Sequence, residues 1–445
     1  MCYIRIKDIY NMKGIDDQIK KIELFAKDIE KKAEHIQYDK YKYIYDEAVK
    51  YIKTKRVLLY GGSAINDLLP KNDKIYDEKV LPDIDVFSTN GRNLAKEIVK
   101  HFIAKGYNKI TTNFVNALHE NTYKVYIDSV QVFDISTVSK KAFKKLSKNS
   151  VIGDNGIRVV NIQFLRLSLH MIMSQLYDAR RWQKIFERLV IFYKHFPPKP
   201  CQVLPSRSHS RSHLKLKSTI PKKSSYKYES FSEEIKESGI IDKIYEFLEH
   251  KDYVLFGIKE LYTYINSYSK SKSKVTNLYL PENSKLAPIQ IIASGNILDI
   301  AHLIVKHLNI PNIAISDIFE EDEFIPEHII IKYKNHQLVE IYNTNVCMTY
   351  INFKGYRIAS LHTIIRMYLS MILSSYEHYE TDNDYLECII NMLTIIQKNM
   401  SKSRKKLFEQ IIEQCYGPYY GLITQHRRKL LRAVDEAVDE EKNNK

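Results

Sequence analysis

At 445 residues the chain can build more than one hydrophobic core, and a hydrophobic fraction of 44% is ordinary for a globular protein. No run of 18 or more apolar residues is present, and Met1-Cys2-Tyr3-Ile4-Arg5 lacks an apolar signal core, so neither a membrane span nor a secretory leader is expected. The formal net charge of +15 favours a polyanionic partner, although a Lys-, Ile-, Asn- and Tyr-rich composition accounts for part of it.

Apolar residues at helical spacing (Ile19, Ile22, Leu24, Phe25, Ile29) predict a helix over 16–53. Arg56-Val57-Leu58-Leu59-Tyr60 is a β-favouring run that ends at Gly61-Gly62, and a helix is expected from Ser63 to Leu69. Ile84 to Phe87 reads as a strand, Leu94 to Ala104 as an amphipathic helix, and Tyr123–Val130 with Gln131–Ile135 as a hairpin. Asn161 to Phe196 is strongly helical and stops at Pro197-Pro198.

Residues 197–232 are rich in Ser, Lys, Arg, His and Pro and too poor in apolar residues to form a core, so a basic flexible linker is expected. His209 and His213 are four apart, but the segment does not read as helix and no metal site is inferred. The five cysteines (Cys2, Cys201, Cys347, Cys388, Cys415) form no C-x-x-C pair and are expected to be buried or incidental thiols in a reducing, intracellular setting. The last stretch, Asp435 to Glu441, reads as a solvated helix end.

Around 206 residues downstream the first half repeats. Leu81-Pro82-Asp83-Ile84-Asp85-Val86-Phe87-Ser88-Thr89-Asn90 lies over Ala287-Pro288-Ile289-Gln290-Ile291-Ile292-Ala293-Ser294-Gly295-Asn296, matching at Pro, Ser and Asn at an offset of 206. Ala95, Ile98 and Val99 lie over Ala301, Ile304 and Val305, and Gln131–Ile135 over Gln337–Ile341, at the same offset. Leu59-Tyr60-Gly61 resembles Leu255-Phe256-Gly257, and Arg166, Leu169 and Met171 resemble Arg366, Leu369 and Met371. In this alignment Asp83 falls on Ile289, Asp85 on Ile291, Asp134 on Glu340 and Gly62 on Ile258, so the second copy is expected to fold and to be catalytically silent.

The chemistry rests on order and spacing. Residues two apart on a strand share a face, so Asp83 and Asp85 project together, with Asp134 joining from a neighbouring strand. Three such carboxylates repel one another unless cations neutralise them, and hard oxygen donors suit two Mg²⁺ or Mn²⁺ ions. Two metals fit an in-line phosphoryl displacement. Gly61, Gly62 and Ser63, at the start of a helix, are the candidate triphosphate-binding residues. His119, Thr122 and Lys124 precede the third Asp and are weaker candidates for substrate contact, and some of the 33 tyrosines could stack on bases.

Gly-Gly-Ser, then Asp-x-Asp, then a third Asp is the pattern that the chain shares with the DNA polymerase β-like nucleotidyltransferases. Leu58 to Asn66, Pro82 to Ser88 and Ala117-Leu118-His119 with Thr122 resemble, more narrowly, the poly(A) polymerase catalytic subunits of large cytoplasmic DNA viruses. The resemblance implies an α+β nucleotidyltransferase fold with a mixed sheet and flanking helices, then a degenerate second nucleotidyltransferase-like domain and C-terminal helices. The expected domains are a catalytic region over 1–156, a helical middle segment over 157–196, the linker over 197–232, the degenerate domain over 233–350 and a helical segment over 351–445.

The same resemblance implies ATP as donor, an RNA 3′ end as acceptor and a cytoplasmic setting, in a viral factory or virion. It also implies a homodimer or a cap-modifying partner, and no membrane. The residues themselves leave open another donor or acceptor (uridylyl transfer, oligoadenylate synthesis) and a non-catalytic RNA-binding scaffold.

Overall fold

The computed structural model describes residues 12–117, 121–199, 235, 238–257, 260, 264, 288–334, 336–374, 383–399 and 414–418. His119, nearly all of the basic linker and the acidic tail lie outside the described residues. Contacts divide the chain into two compact units, one of residues 1–117, 121–138 and 151–159 and one of 118–120, 139–150 and 160–445.

In the first unit, α1 (Met12–Ile52) leads into β1 (Leu58–Leu59), α2 (Gly61–Leu68), β2 (Ile84–Ser88), α3 (Gly91–Ala104), β3 (Asn113–Asn116), β4 (Thr122–Ile127) and β5 (Val130–Thr137). Only the C-terminal part of α1 is buried, through Ile44, Ala48 and Ile52 at i, i+4 spacing. The β4–β5 hairpin turns on Asp128 and Ser129, both at positive φ (47° and 67°), as a two-residue type I′ turn requires.

The chain then forms α4 (Lys140–Ser147), whose N-cap Ser139 accepts from the Ala142 amide, followed by β6 (Val151–Ile152) and β7 (Arg158–Val159). The first sheet has the order β3-β4-β5-β2-β1-β7-β6, with β2–β5 and β1–β7 parallel and the other pairs antiparallel.

The second unit contains α4, α5 (Ile162–Met173), α6 (Trp182–His195), α7 (Ile240–Leu248), β8 (Val254–Leu255), β9 (Ile289–Ala293) and α8 (Ile297–Leu308). It continues with β10 (Ile313–Phe319), β11 (His328–Tyr333), β12 (His336–Asn343), β13 (Met348–Phe353), β14 (Tyr356–Ala359), α9 (Leu361–Leu373), α10 (Asn383–Asn399) and β15 (Cys415–Tyr416).

Its sheet has the order β10-β11-β12-β9-β8-β14-β13-β15. Each of the first seven strands takes the place and direction of a strand in the first sheet, from β10 over β3 to β13 over β6. The duplication seen in the sequence is thus a repeated topology, with one strand added at the edge.

The structure corrects the register of that duplication. In the first sheet Asp85 stands opposite Asp134, and Leu59 opposite Val86. In the second, Glu340 stands opposite Gln290, and Leu255 opposite Ile291. Asp85 therefore corresponds to Gln290 rather than Ile291, and Asp83 to Pro288 rather than Ile289. The helices keep the expected offset because the second copy has one more residue between strand and helix. Thr89-Asn90 joins β2 to α3, whereas Ser294-Gly295-Asn296, with Gly295 at φ +104°, joins β9 to α8.

A second correction concerns the thiols. Cys347 and Cys415 form a disulfide, brought together where β13 pairs with β15. A pairing across 68 residues leaves no local spacing signal. Among the described residues no helix is long and apolar enough to cross a membrane.

Candidate active site

The first sheet has two chemically different faces, as period-2 alternation dictates. Ile84, Val86, Phe133 and Ile135 are buried on the face where α3 packs, and Gly91 at its start meets Ile135. Asp85 and Asp134 occupy the opposite face, directly opposite one another on adjacent parallel strands. Asp83 sits just before β2 begins and is exposed.

The glycine turn abuts these carboxylates. Gly61 has φ +71°, and a Cβ there would collide with the Asp85 carboxylate, so both its conformation and its lack of a side chain are required. The helix begins at Gly61, two residues earlier than expected, and Tyr60 at its N-cap makes no side-chain capping bond. The first-turn amides of Gly61, Gly62 and Ser63 are the donors that such a helix leaves for an anion. The Ser63 hydroxyl donates to the Asp83 carbonyl, so it ties the helix to the strand entry. With the hydroxyl so used, the group of Ser63 that an anion could meet is its amide.

Two further side chains organise the cluster. The Gln131 Nε2 donates to Asp83 Oδ2 and to Asp134 Oδ1, both at 3.0 Å, and so bridges two carboxylates. The Lys124 ammonium lies 2.9 Å from Asp134 Oδ2 and 3.1 Å from Oδ1. Sequence reading singled out Lys124 but not Gln131. The signal was its place at the start of the strand bearing Asp134, and the β-bulge between Val125 and Tyr126 hides which face it takes. Thr122 is used differently: its hydroxyl pairs with Ser136 at 2.9 Å, and Ser136 with the Tyr60 hydroxyl at 2.9 Å.

Although Asp83 is exposed at the surface, the protein packed around its carboxyl strips part of its hydration and raises it above the usual carboxylate range; the Asp134 charge raises it further, while Lys124 opposes both. This is a site that gains from added positive charge. Its donors are carboxylate oxygens, which fit Mg²⁺ or Mn²⁺ in kind. Among the described residues no three acidic, His or Cys side chains converge closely enough to hold an ion; Asp134 is turned instead to Lys124 and Gln131.

A cavity of about 700 Å³ opens in the same unit, bordered by Ser63 and Pro82 and lined by Tyr38, Lys42, Lys74 and Tyr76 among others. Asn66, at the end of the glycine–serine segment, shapes its wall by accepting from the Ile75 and Tyr76 amides at 3.0 and 3.1 Å.

The same sheet topology is thus present twice, once with three aspartates at its polar face and once without them. Residues 46–179 match the family model described as poly(A) polymerase catalytic subunit. Two African swine fever virus proteins, from isolate Pig/Kenya/KEN-50/1950 and strain Badajoz 1971 Vero-adapted, are described as "Putative poly(A) polymerase catalytic subunit". Each is 28% identical over 156 residues, 33% of this chain and 32% of the relative. The match thus spans about a third of those relatives' length. The crystal structure of the Megavirus polyadenylate synthase shares the fold, with a TM-score of 0.69 at 18% identity over 98% of this chain and 86% of that one.

Proposed function

We propose that this chain is a template-independent polynucleotide adenylyltransferase that adds AMP from ATP to RNA 3′ ends, as in viral mRNA polyadenylation. The observation that supports it most is the pairing of Asp85 with Asp134 on adjacent strands, with Gly61 packed against Asp85, inside the segment that matches the family model. The relatives' names, which call them poly(A) polymerase catalytic subunits, support RNA and ATP as substrates and an assembly with another chain.

In this reading Asp83, Asp85 and Asp134 hold two divalent ions, which would acidify the attacking 3′-hydroxyl and neutralise the departing pyrophosphate. The α2 amides bind the triphosphate and orient the α-phosphate for in-line attack. Asp134 faces the attacking hydroxyl and draws its proton. Gln131 holds the Asp83 and Asp134 carboxylates in fixed relation. The 1–156 region is the catalytic part, and the 233–350 region is a silent copy that serves as scaffold.

The test is extension of a labelled RNA with each of ATP, UTP, CTP and GTP, with Mg²⁺ or Mn²⁺, beside an Asp83→Ala/Asp85→Ala variant. Long ladders with ATP alone, absent in the variant, are expected. Ladders with another nucleotide would move the donor, and ladders from the variant would remove the site assignment.

A further inference from the structure

The two copies also differ in one of their strand connections. Between β5 and β6 the first copy inserts residues 138–150, which form α4, whereas residues 344–347 join the corresponding β12 and β13. The silent copy makes the same connection without a helix, so the sheet topology does not need one.

The inserted helix is strongly amphipathic. Ala142, Phe143 and Leu146 are buried, while Lys140, Lys141, Lys144 and Lys148 are exposed and Lys145 is half-buried. No acidic residue occurs between Asp134 and Asp154. Among the described residues no carboxylate pairs with Lys140, Lys141, Lys144 or Lys148, although other lysines such as Lys55, Lys105 and Lys332 are paired. The helix is also anchored. Asn161, the N-cap of α5, donates from its Nδ2 to the Lys145 carbonyl and from its backbone amide to the Leu146 carbonyl, both at 3.0 Å.

We propose that the lysine face of α4 is a docking surface for the phosphate backbone of single-stranded RNA, upstream of the 3′ end. It rests on the polymerase reading for the identity of the polyanion. Lys140 and Lys144 follow at an i, i+4 step, about 6 Å of helix rise apart, and Lys148 at the C-cap follows them, so the helix and its end present a row of ammonium groups to successive phosphates. Such contacts set affinity without selecting sequence, which suits an enzyme that must hold many different transcripts and then their growing tails. In sequence the insertion directly follows β5, the strand bearing Asp134, and precedes β6.

The test compares two full-length variants of equal net charge. One replaces Lys140, Lys141, Lys144 and Lys148 with Gln, a good helix former that preserves the element. The other replaces the exposed Lys243, Lys251, Lys306 and Lys354 of the second unit with Gln. Anisotropy of a labelled single-stranded RNA is read across a salt series, and circular dichroism checks folding.

The α4 variant is expected to bind at least tenfold more weakly. Its log–log salt slope should fall by about 3, at roughly 0.7 per lost phosphate contact. Its KM for RNA should rise, while kcat at saturating RNA and KM for ATP hold. The control variant should stay near wild type, and a Lys→Arg version of the α4 set should recover binding. Equal loss in both Gln variants, or an unchanged slope in the α4 variant, overturns the proposal. If no nucleotide is transferred but binding is lost only in the α4 variant, the polymerase reading fails and the RNA surface stands.

Discussion

Seven strands of the two sheets share the same order and the same directions, yet the corresponding face has opposite fates. In the first, the face bearing Asp85, Phe87, Asp134 and Ser136 places carboxylates beside a helix N-terminus and leaves Asp83 exposed. In the second, Gln290, Ile292, Glu340 and Tyr342 occupy that face and are buried. Ile292 and Tyr342 join a core with Phe256, Ile364 and Tyr368. Glu340 is capped by the Gln290 amide at 2.7 Å and the Tyr342 hydroxyl at 2.8 Å, both to Oε2. The comparison teaches that exchanging the polar groups of such a face is a packing event. A face that is open to ligand becomes core when its acids are replaced by groups that satisfy one another.

The largest effect is expected from substituting the one acid that both copies retain in some form. Asp134→Asn should lower transfer by more than 10³-fold, about 4 kcal/mol of transition-state stabilisation, with the fold intact. Glu340→Gln should leave the rate within twofold, because burial already raises its carboxyl and no ligand reaches it. Single-turnover extension of one RNA by both variants decides. A comparable loss in both would mean that the second copy takes part in the chemistry.

The paired glycines should separate next. Gly61→Ala places a Cβ against Asp85 at a φ of +71°, so both backbone and carboxylate must move. A loss of roughly 10²-fold in kcat and about 2 kcal/mol in stability is expected. Gly257, its counterpart, shows no such φ, and a Cβ there would come no closer than 3.3 Å to the Gln290 amide nitrogen. Gly257→Ala should leave kcat unchanged and cost well under 1 kcal/mol. Equal melting shifts in the two would show that the turn carries no special geometry.

Much of this comparison was legible in the sequence, and the limits have physical causes. The order of strand, glycine turn, helix and Asp-x-Asp strand is local, so composition and spacing report it. The duplication was legible too, because apolar positions of α3 and α8 keep their register. Alignment on Pro82 with Pro288 and Ser88 with Ser294 then slipped β9 by one residue, and in a strand a slip of one exchanges the faces. Ile291 was thereby taken for the partner of Asp85, although it points into the core with Ile289 and Ile341. Gln131 and the Cys347–Cys415 disulfide were not legible, since each depends on which strands become neighbours rather than on any short pattern.

The second unit should also respond to acid through a buried histidine pair. His170 and His362 meet through their Nδ1 atoms at 3.0 Å, on α5 and α9, with Tyr193 and Gln397 at the outer nitrogens and Arg166, paired to Glu387, nearby. Burial lowers both imidazoles, that of His362 to about 4, and the charges of His362 and Arg166 lower His170 further. An unfolded imidazole titrates near 6.5, so this contribution is complete above that pH and is lost as the pH falls toward 4. At about 1.4 kcal/mol per pH unit, His362 should remove about 2 kcal/mol between pH 6.5 and 5. Denaturant melts of wild type and His362→Asn across that window test it. The variant should be less stable at pH 7 but flatter with pH, and parallel curves would show that the pair does not carry the acid sensitivity.

The smallest effect concerns the cation that the first site supplies for itself. Lys124 neutralises Asp134 from a partly exposed position, where an ion pair stabilises only modestly, and it also opposes the raised carboxyl of Asp83. Lys124→Met should therefore cost about 1 kcal/mol in the presence of a chelator. The same variant leaves the carboxylates with less competition, so Mn²⁺ should bind more tightly and raise its melting temperature more than that of wild type. Melting in EDTA and over a Mn²⁺ series reads both effects without any turnover. Should the variant and wild type gain equally from the metal, Lys124 does not compete for these carboxylates. No counterpart of this response is expected at Glu340, where Ile330 stands opposite in place of a lysine.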